Sequence, residues 1–159
     1  MIAEKITDIK KFMSEFLIKN SFDDFLVNEI TITTFNTYNI NGYIKKDYYS
    51  KDEYEELGSP TLSEWRKLKP LCYEIIKGKK TPHSFKIILS LSLTQIEQFI
   101  KTNNIDFPID NIDGLFLNIK YENNELTLIT GTSLKIFTLD KTLEKAFDKY
   151  ISNFISTLV

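Results

Sequence analysis

Two stretches decide the fold: FKIILSLSLTQIEQFI at residues 85–100 and LFLNIKYENNELTLIT at residues 115–130. In the first, the apolar run over 85–91 reads as a strand. It gives way to a helical period in which Ile96, Phe99 and Ile100 share one side, so a helix is expected over 94–102. In the second, Leu115, Leu117, Ile119 and Tyr121 alternate with Phe116, Asn118 and Lys120. That period of two belongs to a half-buried strand. Asn123-Asn124 then turns the chain, and residues 125–130 return as a second strand.

Residues 1–50 repeat this order. A short alternating stretch over 2–6 is followed by Thr7 as a helix cap, with Ile9, Phe12, Met13, Phe16 and Leu17 as the apolar side of a helix. Residues 25–40 are rich in Ile, Thr, Phe and Tyr, and Asn41-Gly42 is the dipeptide favoured in tight type I′ hairpins, which makes 43–49 the returning strand. Between the two units lies a helical connection, residues 50–82. Ser50-Lys-Asp-Glu53 has the pattern of a capping box and opens a short helix ending at Gly58. Thr61-Leu-Ser-Glu64 repeats the pattern and opens a helix with Leu62, Trp65 and Leu68 on one side. Pro70 predicts a kink or restart, and Gly78 the end. After the second unit, a last strand over 134–139 leads to Asp140 as cap of a C-terminal helix.

The expected architecture is α+β, one domain over 1–159. Unit 1 spans 1–50, the connection 50–82, and unit 2 with the C-terminal helix 84–159. Two copies of a strand-helix-hairpin unit are expected to pack about a pseudo-twofold axis, with the helices on one face of a shared antiparallel sheet. The order resembles the βαβββ unit of the DNA sliding clamps, most closely from Phe85 to Thr138. Clamp helices face DNA with repeated basic residues, whereas here Lys101 is set against Glu97, and Lys10, Lys11 and Lys19 against Asp8 and Glu15. Encircling DNA is therefore not implied. Ile32-Thr-Thr-Phe-Asn-Thr37, Gly78-Lys-Lys-Thr-Pro82, Gly114-Leu-Phe-Leu-Asn-Ile119 and Thr130-Gly-Thr-Ser-Leu-Lys135 look like stretches of an uncharacterised bacterial family of unknown function. That resemblance runs over most of the chain and implies no activity, substrate or catalytic residue.

Composition narrows the chemistry. With 159 residues, 42% of them hydrophobic, the chain has the material for a sizeable core. No apolar run approaches the roughly 20 residues of a membrane span, and the charged N-terminus lacks the pattern of a secretory signal, so a cytoplasmic protein without a membrane partner is expected. His83, Arg66 and Cys72 are the only residues of their types. One His and one Cys furnish no closed transition-metal ligand set, and one Arg leaves phosphate recognition to lysine. No metal, cofactor or catalytic residue is assigned. With a formal net charge of −2, nucleic-acid binding is expected to be weak at most.

Candidate sites each carry a plainer alternative. Lys77, Lys79 and Lys80, near His83, suit an anion or nucleic acid, or else complement the carbonyl end of a helix. Residues 109–114 fail as a calcium loop, because Ile109 and Lys120 occupy ligand positions, and read instead as a capped turn. Asp52, Glu53, Glu55 and Glu56 read as a solvated face, Thr130–Ser133 as a hairpin end, Cys72 as a buried thiol and Trp65 as a core anchor.

In the C-terminal helix, Leu143, Ala146, Phe147, Tyr150, Ile151, Phe154, Ile155 and Leu158 sweep roughly 180° at 100° per residue, wider than the ~100° stripe that one core needs. Phe147 and Phe154 are expected in the core. Ile151, Ile155 and Leu158 form a rim assigned to a homo-oligomer or protein-partner contact, the alternative being a core that wraps the helix more deeply. The function expected is a non-catalytic protein-binding or assembly module, clamp-like and linked to DNA metabolism. The alternatives are a small enzyme with a carboxylate/lysine site at the repeat interface and a weak non-specific nucleic-acid binder.

Overall fold

The computed structural model describes residues 1–159. Its elements run β1 (Ala3–Ile6), α1 (Ile9–Leu17), β2 (Leu26–Thr33), β3 (Thr37–Asn41), α2 (Lys51–Glu56), α3 (Trp65–Ile76), β4 (Ser84–Ser90), α4 (Leu93–Thr102), β5 (Ile112–Glu122), β6 (Glu125–Leu134) and α5 (Thr142–Leu158). The strands form one six-stranded antiparallel sheet in the order β1-β6-β5-β4-β2-β3. Alternation, shifted in β2 by a bulge between Val27 and Glu29, sends Val27, Ile30 and Ile32 of β2, Phe85, Ile87 and Leu89 of β4, and Leu115, Leu117 and Ile119 of β5 to one face. There they join Phe12 and Phe16 of α1, Trp65 and Cys72 of α3, Ile96 and Phe99 of α4 and Phe147 of α5 in a single core. The other face carries Lys5, Thr127, Lys120, Lys86, Thr31 and Asn39 in one register row.

Unit 2 follows its sequence. Ser92 and Gln95 cap α4 reciprocally, and Asn123 and Asn124 turn β5 into β6 with φ of 52° and 61°. This is the doubly left-handed turn that a two-residue hairpin needs. Unit 1 departs from expectation at its hairpin. The turn falls at residues 34–36, Thr33 pairs with Thr37, and residues 43–49 form no strand. Gly42 has a different job, since a Cβ there would overlap the carbonyl of Val27. The chain passes tight against β2, and Gly42 N–H donates to Asn28 O. Tyr43 bridges Leu62, Ile44 N–H donates to Thr61 O, and Val27 N–H donates to Ser63 O. These bonds hold 61–64 extended, so Thr61-Leu-Ser-Glu64 is no capping box and α3 begins at Trp65. Pro70 sits inside a continuous α3, and its ring nitrogen offers no hydrogen to the carbonyl one turn back.

The two units share chain order but differ in strand pairing. β4 lies beside β5, whereas β1 lies at the far edge from β2, paired with β6. Only the hairpins β2·β3 and β5·β6 correspond, so the expected pseudo-twofold is absent from the sheet. β6 absorbs Thr130–Ser133 into its interior and ends at Leu134, where β5 runs out, so residues 135–139 form no strand. Asp140 still serves the start of α5, accepting from the N–H and hydroxyl of Thr142 although the formal cap is Lys141.

Candidate functional site

α5 corrects the rim assigned to its sequence. Ile151 and Ile155 are each 1% exposed, and Leu158 is half-buried and packed on the core. Helix α1 and the aromatic loop after it wrap this side of α5. Phe154 is half-buried with its ring 5.2 Å from Phe22 and 5.8 Å from Phe25. The broad arc is filled by the protein's own core.

The half-buried charges are committed to one another. Glu15 accepts from Lys19 Nζ at 2.8 Å and from Ser21 Oγ at 2.6 Å, which together hold its carboxyl below the usual carboxylate range. Lys69 reaches Asp23 at 2.5 Å and the carbonyl of Lys19 at 2.8 Å. Arg66 pairs with Asp24 and Glu64. The contacts of Lys69 with Asp23 and Lys19 and of Arg66 with Asp24 fasten α3 to the loop after α1, and none of these pairs lies between the two units. No three His, Cys, Asp or Glu side chains come together as a metal-binding group. Cys72 is buried, and desolvation pushes its thiol up to about 12. Asp52, Glu53, Glu55 and Glu56 are solvated on α2, where the N–H and hydroxyl of Ser50 hold the Glu53 carboxyl low.

Two surfaces remain, at opposite ends of the β5–β6 hairpin. The first surrounds the β6–α5 connection. Phe137 and Leu139 are 89% and 82% exposed, and Ile136 is also exposed. The loop holding them is firmly built. Lys135 N–H donates to Asn111 O at 2.8 Å, Asp140 N–H to Thr138 Oγ1 at 3.1 Å, and Thr142 Oγ1 to Asp140 Oδ1 at 2.6 Å. Beside the tip is a recess of about 280 Å³ lined by Thr132, Leu134, Leu143, Asp140 and Glu144. An apolar protrusion thus stands next to an apolar-floored hollow whose charged border is internally paired, Glu144 accepting from the Met1 ammonium at 2.5 Å and facing Lys141 at 3.5 Å. The expectation of a strand over 134–139 concealed this surface. Its signal in the sequence was the apolar run Ile136-Phe-Thr-Leu139 with no partner strand left to cover it.

The second surface brings together the expected lysines. Lys77 and Lys80 line a cleft of about 690 Å³ with Thr34, Phe35, His83 and Asn124, while Lys79 is exposed in the same loop. Lys77 is engaged by Glu74 at 2.7 Å and lies 5.9 Å from the Tyr73 ring centroid. Lys79, Lys80 and His83 make no ion pair.

The fold and these surfaces define an α+β protein built on a six-stranded antiparallel sheet. The chain belongs to the family of unknown function DUF5721, whose model matches residues 15–158. No curated protein and no solved structure matches it. No helix is long and apolar enough to cross a membrane.

Proposed function

We propose that the protein is a non-catalytic assembly module that pairs with a second copy of itself through the β6–α5 connection. The observation that carries this reading is the pairing of knob and hollow on one surface, Phe137 and Leu139 beside the recess at Leu134 and Leu143. A twofold contact brings the same patch of each copy together, so a patch holding both a protrusion and a hollow can complement itself. Each Phe137 enters the other copy's recess, and Lys135 meets Asp140 at its border. Burying an exposed Phe or Leu side chain contributes roughly 1.5–3 kcal/mol, whereas association costs about 4–15 kcal/mol. A patch of this size therefore gives a weak dimer. The open clefts and mutually saturated charges favour this over a carboxylate/lysine enzyme, and the unequal strand pairing of the two units gives no support to a clamp-like role.

Sedimentation velocity tests the proposal. The wild type is expected to show concentration-dependent dimerisation, and Phe137→Asp and Leu139→Asp to remain monomeric with unchanged thermal unfolding. A wild type still monomeric at about 1 mM, where even a contact worth ~4 kcal/mol would populate dimer, contradicts it. Binding to anionic vesicles that Phe137→Asp abolishes would reassign the loop to a lipid surface.

A further inference from the structure

The cleft at the other end of the β5–β6 hairpin is built by three turns. Residues 34–36 join β2 to β3, residues 77–83 join α3 to β4, and Asn123-Asn124 joins β5 to β6. The middle turn is anchored by His83 N–H, which donates to Thr33 O at 2.9 Å, and Gly78 lets it reverse with φ of 132°. Charge sets this cleft apart. Asp24 lines both clefts near α4, and Asp140 and Glu144 line the recess beside Phe137, whereas no carboxylate lines this one. With Lys77 held by Glu74, the unpaired cations here are Lys80 and its neighbour Lys79, with the His83 imidazole lining the cleft beside them.

Phe35 adds a second chemistry. It stands at the rim 86% exposed, on a three-residue turn, where nothing in the fold requires a large aromatic ring. Thr34, Thr81 and the side-chain amides of Asn123 and Asn124 line the same cleft and supply neutral donors and acceptors, although Asn124 Oδ1 also accepts from the Tyr121 hydroxyl at 3.3 Å. We infer that this cleft binds a nucleoside phosphate, with the base stacked on Phe35, the phosphate held by Lys79, Lys80 and His83, and the base or sugar edge meeting Asn123 and Asn124. A planar base has a use for an exposed aromatic face and for paired amides, and its phosphate has a use for unpaired lysines. An acidic peptide would use the lysines alone. The volume suits one nucleotide within the range of small-molecule sites. The ligand is either a free nucleotide or the end of a single strand.

The test is an amide chemical-shift titration of the full chain with adenosine 5′-monophosphate and, separately, inorganic phosphate. Saturable shifts confined to residues 34–36, 77–83 and 123–124 are expected with both probes. Phe35→Ala should raise the Kd for the nucleotide about tenfold, the size of one lost base stack, while leaving inorganic phosphate unaffected. Lys79→Gln with Lys80→Gln should weaken both. All three side chains are solvent-facing, so these variants keep the core intact. A short oligothymidylate in the same titration separates the sources: much tighter binding than the nucleotide assigns the end of a strand, and equal binding a free nucleotide. The inference is overturned if millimolar nucleotide shifts nothing in these turns. It is overturned equally if Phe35→Ala leaves nucleotide affinity unchanged, or if a polyglutamate peptide binds there more tightly than the nucleotide.

Discussion

Three residues show how a side chain's role here follows from its surroundings. Gly42 is fixed by the passage of its backbone against Val27, where a Cβ has no room. Gly42→Ala must push two segments apart and should cost about 2 kcal/mol or more, measured by denaturant unfolding. A neutral substitution would show that the contact relaxes. The asparagine before it made this glycine resemble a turn residue, because sequence records that a Cβ is missing but not whether torsion or proximity demands it. Cys72 is sealed in the core with its thiol near 12. It should resist a disulfide reagent at pH 8 in the native protein and react promptly in denaturant, and rapid native labelling would contradict its burial. Glu15 couples folding to pH. Lys19 and Ser21 hold its folded-state carboxyl below the ordinary glutamate value of 4.5, so its stabilisation is complete above that pH and is lost as pH falls through the lower folded value. Below pH 4.5 the thermal midpoint of the wild type should fall more steeply than that of Glu15→Gln. Parallel slopes would remove Glu15 from the linkage.

At the scale of elements, the second half of the chain was the more legible. β4 read from its apolar run, β5 from alternation, and the start of β6 from the turn at Asn123-Asn124, because local signal and tertiary pairing agree there; the far end of β6 was placed four residues short. In residues 25–64 they disagree. The turn at 34–36 has no glycine or proline, and an apparent capping box is drawn into bridges with Tyr43 and Gly42. Helix α3 also overrides its proline. Pro70 is exposed, so replacing it removes no core contact and restores a donor to the carbonyl one turn back. Pro70→Ala should stabilise the protein by roughly 1–2 kcal/mol, the helix gain being offset in part by a freer unfolded chain. A loss of stability would show that the ring matters to packing. In α5, the width of the apolar arc was legible and its covering was not, since nothing in residues 142–158 reports that Phe22 and Phe25 arrive from a distant loop. Ile155→Asp should therefore destabilise the fold by about 3 kcal/mol or more by burying an unpaired charge, and a fully stable variant would return Ile155 to the surface.

For the whole molecule, one helix layer covers one face of a six-stranded sheet, and what is left over lies at the sheet's two ends. The lysine-bearing end was visible in sequence because Lys77, Lys79 and Lys80 are neighbours. The contribution of Phe35 and Asn123-Asn124 was not visible, because only the sheet brings three separate turns together. The apolar end depended on where β6 stops, which is set by the length of β5. About ten residues of β-strand at 3.3 Å each separate the two ends, roughly 30 Å, so each can be altered without touching the other. Self-pairing at the apolar end makes a definite geometric demand, that Phe137 of one copy lie against Leu143 of the other. Filtered nuclear Overhauser spectroscopy on a mixture of labelled and unlabelled protein measures that contact directly. Cross-peaks between the Phe137 ring and the Leu134 and Leu143 methyl groups of a different molecule are the predicted result, and a dimer whose intermolecular cross-peaks all arise elsewhere, or a sample with none, would contradict it.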